Sequence, residues 1–354
     1  MKFGYFTLTD NPKSYGERYR DPNQFLLDIL EEARLAEELG FHSVWVPEHH
    51  FGLFGCLGTP TVFLSYLAAQ TRRVRLAAAT VLLPCNQPLR VAEEWATLDL
   101  LSGGRVIFSA GRGYDQREYE AFGIPFAESR ERFDEALLLV RTALAEEEFT
   151  FDGKFYRVLE PITVLPRPVQ KPHPPIYVAC FSEPTLDMAA RNGFDIIFAP
   201  FAAAMVFGSL NEAVGQFKDR ARRNGRAHAS ARCSYFFALA DTKEEAHRHR
   251  ERLLFYLQKC VVPALPGDRR NAPPHYAYFE DIVKRLLAMK PEDLGERSIV
   301  TGSVEECVAT LKKAEAAGIE EVILYFNFGG YSHRETMRMM ERFAEKVMPH
   351  FDSV

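Results

Sequence analysis

Eight short apolar runs recur along this 354-residue chain, each followed by a stretch of helical periodicity, and that alternation constrains the fold more than any other feature. A run that is apolar throughout suits a strand covered on both faces, so the pattern predicts a parallel sheet with helices packed against it. The predicted strands are residues 2–8, 43–46, 75–80, 106–110, 176–180, 195–198, 233–239 and 321–326. The predicted helices are residues 22–39, 60–69, 88–101, 129–146, 184–191, 209–223, 242–259 and 332–346. Eight such units match a (β/α)8 barrel. The competing architecture, a doubly wound open sheet, normally carries a phosphate-binding glycine fingerprint after its first strand, and Leu8-Thr9-Asp10-Asn11-Pro12 is not one. The reading is therefore one TIM-type barrel domain over residues 1–354.

Three stretches break the repeat: residues 113–128, the proline-rich 148–175, and 261–298. Loops of that length in a compact domain are usually lids or binding loops, and 261–298 reads as a mobile lid. Lys+Arg 43 against Asp+Glu 48 gives a net charge of -5, which offers no electrostatic footprint for nucleic acid or an anionic membrane surface. No apolar run approaches the ~20 residues of a membrane span, and the opening MKFGYFTL reads as a strand rather than a signal peptide. The six scattered cysteines form no C-x-x-C pair and read as small core residues of a reduced, cytoplasmic protein.

A barrel of this kind places its active site at the C-terminal ends of the strands. The second strand runs directly into Glu48-His49-His50. A structural hydrogen-bonded cluster and a metal site are both conceivable there, but no further histidine stands at metal-ligand spacing. Acid–base or charge-stabilising work by His49, supported by Glu48, suits a side chain that titrates near neutral pH. After the fourth strand, Gly111-Arg112-Gly113-Tyr114 places a guanidinium fork between two glycines, which suits either a tight turn or a phosphate. After the fifth, Ser182 stands as a helix N-cap with Pro184 in the first turn; a plain cap or an anion site both fit. Ala77-Ala78-Ala79-Thr80 ends the third strand in small side chains that leave room for a flat ring. His247 and His249 read as part of a solvated helix face, and His275 as part of the lid.

Taken together, Glu48-His49-His50-Phe51-Gly52-Leu53-Phe54-Gly55, Pro88-Leu89-Arg90-Val91-Ala92-Glu93-Glu94, Leu98–Arg105 and Arg112-Gly113-Tyr114 resemble the luciferase-like flavin monooxygenases, the family of the bacterial luciferase α-subunit. The similarity covers most of residues 1–260 and returns at 302–351. It implies a (β/α)8 barrel that takes reduced FMN from a separate flavin reductase and adds oxygen to it. The resulting C4a-hydroperoxide then oxygenates a small organic substrate. By position, the resemblance makes His49 the catalytic histidine, with Glu48 and His50 beside it. Arg112, Ser182 and Thr185 become phosphate contacts, and Ala79-Thr80 a non-prolyl cis peptide beside the flavin ring. Tyr114 joins the cofactor-binding set, as does Phe181, which replaces an acidic residue of the family. Phe6 and Phe54 line the cavity. The family's reactive cysteine is Gly111 here, so no light emission is expected. A homodimer is expected by the same resemblance. Two alternatives stand beside this reading: an F420-dependent oxidoreductase of the same barrel family, and a non-catalytic flavin-binding protein. Metal-dependent hydrolysis ranks last.

Overall fold

The structure is a computed structural model and describes residues 1–265 and 278–351. Eight parallel strands close into a barrel: β1 (Lys2–Phe6), β2 (Ser43–Val46), β3 (Arg75–Ala78), β4 (Val106–Gly111), β5 (Ile176–Cys180), β6 (Asp195–Phe198), β7 (Ala231–Leu239) and β8 (Glu321–Tyr325). Each pairs with the next in chain order, and β8 returns to β1 with Tyr325 opposite Phe6. Every strand predicted from the apolar runs is present, which is the barrel architecture expected. The eight predicted helices also form and wrap the outside. Their starts are explained locally. Pro22 opens Pro22–Glu38, where Asp21 accepts the N–H of Gln24 at 2.9 Å, and Pro88 opens Pro88–Ser102, where Gln87 accepts that of Arg90 at 3.0 Å.

The differences lie between the repeats. The third strand stops at Ala78, and the chain resumes pairing at Val81–Leu82, alongside Ala110 and Gly111. The stretch 113–128 contains a helix, Gln116–Ala121, and 148–175 contains an antiparallel hairpin of Phe149–Asp152 with Arg157–Ile162. A further strand, Ile299–Gly302, runs beside Phe236–Leu239 of β7, followed by the helix Val304–Ala316. Within 261–298, the helix Tyr278–Ala288 replaces part of the expected loop; residues 266–277, with His275, lie outside the described residues. His249 is not on a solvated face: its Nδ1 meets the Tyr331 hydroxyl at 2.5 Å, and burial lowers its pKa. Among the described residues no helix is long and apolar enough to cross a membrane.

Inside the barrel, residues near the starts of strands build the base. Arg232 Nε donates to Glu321 Oε2 at 2.6 Å, the Ser43 hydroxyl donates to the same carboxylate, and Trp45 Nε1 donates to Ser43 Oγ at 2.6 Å. The Arg232 guanidinium lies 4.0 Å from the ring centre of Tyr177. The buried Glu321 carboxylate is thus met by both the Arg232 guanidinium and the Ser43 hydroxyl, which offsets part of the cost of burying its charge. At the opposite end Phe6, Phe236 and Tyr325, adjacent in register, turn inward, with ring centres 5.2 Å (Phe6–Tyr325) and 5.3 Å (Phe236–Tyr325) apart. Tyr5, one residue before Phe6, points outward to Glu32 of the first helix (2.6 Å), as strand alternation requires.

Candidate active site

Beyond β2 the chain leaves regular secondary structure at Pro47, and in the run that follows the side chains two apart meet while their neighbour finds another partner. That geometry decides the pairing of the Glu48-His49-His50 run. Glu48 and His50, two residues apart, meet each other, with Glu48 Oε1 3.0 Å from His50 Nε2. Glu48 is further held by the N–H of Leu82 (2.9 Å) and the amide of Asn86 (2.7 Å). His49 faces away from both. The expectation that Glu48 supports His49 is therefore corrected: the carboxylate at His49 is Glu118, whose Oε1 lies 3.2 Å from Nδ1. The same oxygen accepts the backbone N–H of His50 at 2.7 Å. Glu118 comes from the helix Gln116–Ala121, inside a stretch that carries no periodicity in the sequence, and it is only 1 % exposed. Burial pushes its pKa up, but the hydrogen bond and charge of His49 and the N–H of His50 outweigh this and hold it below the ordinary glutamate value.

The other face of His49 stacks on Phe54, ring centres 4.4 Å apart, and Phe54 is fully buried. Phe54 in turn meets Tyr114 and Tyr256 edge-on at 6.3 and 6.1 Å. The imidazole is thus fixed by a carboxylate on Nδ1 and a ring on its face, an arrangement suited to moving a proton through Nε2. Among the described residues no group of three His, Cys, Asp or Glu side chains comes together as a metal site.

At the end of β3 the Ala79–Thr80 peptide is cis, as the resemblance implied. Thr80 lies against Gly111 at the end of β4, where a Cβ would overlap Thr80 Oγ1 and lie 3.1 Å from its Cβ. Glycine at 111 is therefore a packing necessity beside Thr80, and the two keep this wall thin. Gly113 follows with φ 72°, a turn that Leu82 crowds, and the Tyr119 hydroxyl donates to the Arg112 carbonyl, fixing the guanidine-bearing residue between them.

The helix Glu183–Asn192 starts at Ser182, as predicted, but the Ser182 hydroxyl makes no cap. It lies 3.0 Å from Thr185 Oγ1, and both hydroxyls accept from Arg130: Nη1 and Nη2 each reach Thr185 Oγ1 at 3.1 Å, and Nη2 reaches Ser182 Oγ at 3.4 Å. Arg130, in the first turn of the helix Ser129–Ala145, was missed from sequence, because a charged residue at a helix start reads as solvated. Arg112 belongs to the same neighbourhood. Burial raises the pKa of Asp134, while Arg130, Arg112 and Arg191 all pull it down. Two guanidiniums, two hydroxyls and the open N–H groups of a helix start form a donor set that fits a phosphate dianion. Phe181, by contrast, is half exposed beside this cradle.

A parallel barrel with a histidine–carboxylate pair, a cluster of arginine and hydroxyl donors and a thin small-residue wall at one mouth has the features of a flavin-dependent monooxygenase. The family model "luciferase-like monooxygenase" matches residues 1–321, and the chain belongs to that family. It is 31% identical to the alkanal monooxygenase alpha chain of Photorhabdus laumondii over 99% of this chain and 97% of that one. It is 26% identical to the oxygenase component of flavin-dependent trigonelline monooxygenase from Acinetobacter baylyi, over 92% and 89%. Among solved structures, monooxygenase RslO1 from Streptomyces bottropensis superposes with a TM-score of 0.83 at 31% identity, over 99% and 100% of the two chains. Two more distant structures share the fold. They are the FMN complex of the oxygenating constituent of 3,6-diketocamphane monooxygenase from Pseudomonas putida (TM-score 0.72, 18% identity, 100% and 99% covered) and an F420-dependent secondary alcohol dehydrogenase (TM-score 0.72, 17% identity, 99% and 99% covered).

Proposed function

We propose that this chain is the oxygenase of a two-component system, taking reduced FMN from a separate flavin reductase and inserting one oxygen atom into a small organic substrate. The observation that carries the reading is the convergence of Arg130, Ser182 and Thr185 beside Arg112, within the same barrel mouth as His49. In this reading Arg112, Arg130, Ser182 and Thr185 hold the phosphate, Tyr114 and the Ala79-Thr80 wall border the ring, and Phe6 and Phe54 line the cavity. Phe181 borders the phosphate end. Reduced FMN, when bound, supplies the electrons with which dioxygen is split between product and water. His49, oriented by Glu118 and Phe54, passes the proton that this reaction needs; Glu48 and His50 brace the loop that carries it. The buried aromatic side chains keep water from the reacting centre.

The chain acts in the cytoplasm and as a homodimer in this reading. Val62 and Tyr66 on Pro60–Gln70, and Leu101 on Pro88–Ser102, are exposed apolar side chains on two adjacent helices that a second copy would cover. Titration with oxidised and reduced FMN, followed by rapid mixing of the reduced complex with oxygenated buffer, tests the assignment. A transient absorbance that follows oxygen concentration and shortens with substrate is the expected result. Anaerobic hydride transfer from F420 in place of oxygen uptake would move the chain to its deazaflavin relatives, and a His49→Ala variant with unchanged oxygen consumption would make it a binding protein.

A further inference from the structure

From β1 to the loop after β8 the mouth carries a continuous cluster of largely buried aromatic rings. Phe54, stacked on His49, meets Tyr256 edge-on, and Tyr256 meets both Phe236 (5.3 Å) and Tyr325 (6.1 Å). Tyr325 also contacts Phe6 at 5.2 Å and Phe328 at 6.0 Å. Tyr325 is 1 % exposed, yet its hydroxyl has no hydrogen-bond partner among the described residues. The hydroxyl of Tyr5, on the outer face of the same sheet, shows the usual arrangement, bonded to Glu32 at 2.6 Å. A buried hydroxyl without a partner is costly, and in a native site it marks a contact made by something that arrives.

We propose that the substrate is an uncharged aromatic compound carrying an oxygen acceptor that hydrogen-bonds to the hydroxyl of Tyr325. The proposal rests on the oxygenase reading above and adds the substrate class. Rings present faces and edges of opposite partial charge, so an aromatic wall prefers a flat π-system over an aliphatic chain, for which Leu, Ile and Met would be the natural lining. The rings themselves carry no charge to pair with an ionic substrate. Asp10, the carboxyl whose charge bears on Tyr256, is neutral at pH 7, because burial pushes its pKa up to about 8. Tyr325 supplies an oriented polar contact and so sets which edge of the substrate faces His49.

Equilibrium dialysis of 2-acetonaphthone, naphthalene and decanal against the full chain, with and without FMN, tests this without any turnover. The wild type is expected to bind the ketone about five- to tenfold more tightly than naphthalene, the effect of one hydrogen bond. Tyr325→Phe, which keeps the ring, should bring the two to equal affinity by weakening only the ketone. Decanal should displace either probe poorly. Equal binding of the two probes to wild type, an unchanged preference in the variant, or displacement by decanal at lower concentrations than by the ketone overturns the proposal. A failure of FMN to bind would sink the oxygenase reading but leave these ratios readable.

Discussion

Glu118 reaches His49 across 69 positions of sequence, placing one carboxylate oxygen 3.2 Å from Nδ1. His49→Ala should lower turnover by about 10²–10⁴-fold, the usual contribution of a positioned proton carrier, while leaving FMN affinity unchanged. Steady-state oxygen uptake beside a flavin titration separates the two effects; equal losses in both would show a structural role.

The same carboxylate gives a signature in stability. Its folded pKa lies below the ordinary 4.5, so its contribution is present above pH 4.5 and is lost as pH falls through the folded value. Glu118→Gln should lower stability at pH 7 and flatten its decline on acidification. Denaturant midpoints compared at about pH 6 and pH 4 check this; an unchanged acid limb would refute it.

The proposed role of Arg130 in holding a phosphate predicts a ligand-specific defect. Arg130→Ala should weaken FMN binding by about 10- to 100-fold, the scale of charge-assisted hydrogen bonds, with little effect on riboflavin, which lacks the phosphate. Parallel titrations with the two flavins give the ratio directly. If both weaken alike, the cradle does not hold the phosphate.

Thr80 and Gly111 share one space. Gly111→Ala forces a Cβ onto Thr80 Oγ1 and should cost about 1–3 kcal/mol, as overpacking does. Adding Thr80→Ala should recover part of that loss, so a double-mutant cycle on thermal stability should show favourable coupling. Strict additivity would disprove the contact.

Asp10 predicts an alkaline effect. It accepts the Tyr15 hydroxyl and the N–H of Gly329, but burial dominates and pushes its pKa from 3.8 up to about 8. The folded state therefore retains a proton that the unfolded chain releases. Stability from this group is full below pH 3.8 and is lost as pH rises through about 8. Asp10→Asn keeps a neutral acceptor and should be more stable than wild type at about pH 9, with a flatter profile between about pH 4 and about pH 8. Urea midpoints across that range decide it, and parallel profiles would count against the buried neutral acid.

The barrel strands were legible because both their faces are covered, which leaves continuous apolar runs. The helix Val304–Ala316 was also signposted, by the Ser303–Glu306 capping box, yet it is not among the eight predicted helices and lies beyond the 261–298 stretch. Glu118 and Arg130 were not legible, since each sits on a charged first turn and gains meaning only from residues far along the chain. The Glu48–His49 pairing failed for another reason. Glu48 meets His50, two positions on, and His49 meets Glu118, so adjacency in sequence did not give contact there.

The ionic stopper of Arg232, Glu321 and Ser43 stands at the pole opposite the reacting groups. Durability and chemical selectivity are thereby assigned to separate ends of one cylinder. Redesign of the rim toward new compounds can proceed without loosening the plug that keeps the cylinder shut, and variants sought for heat resistance belong at the plug.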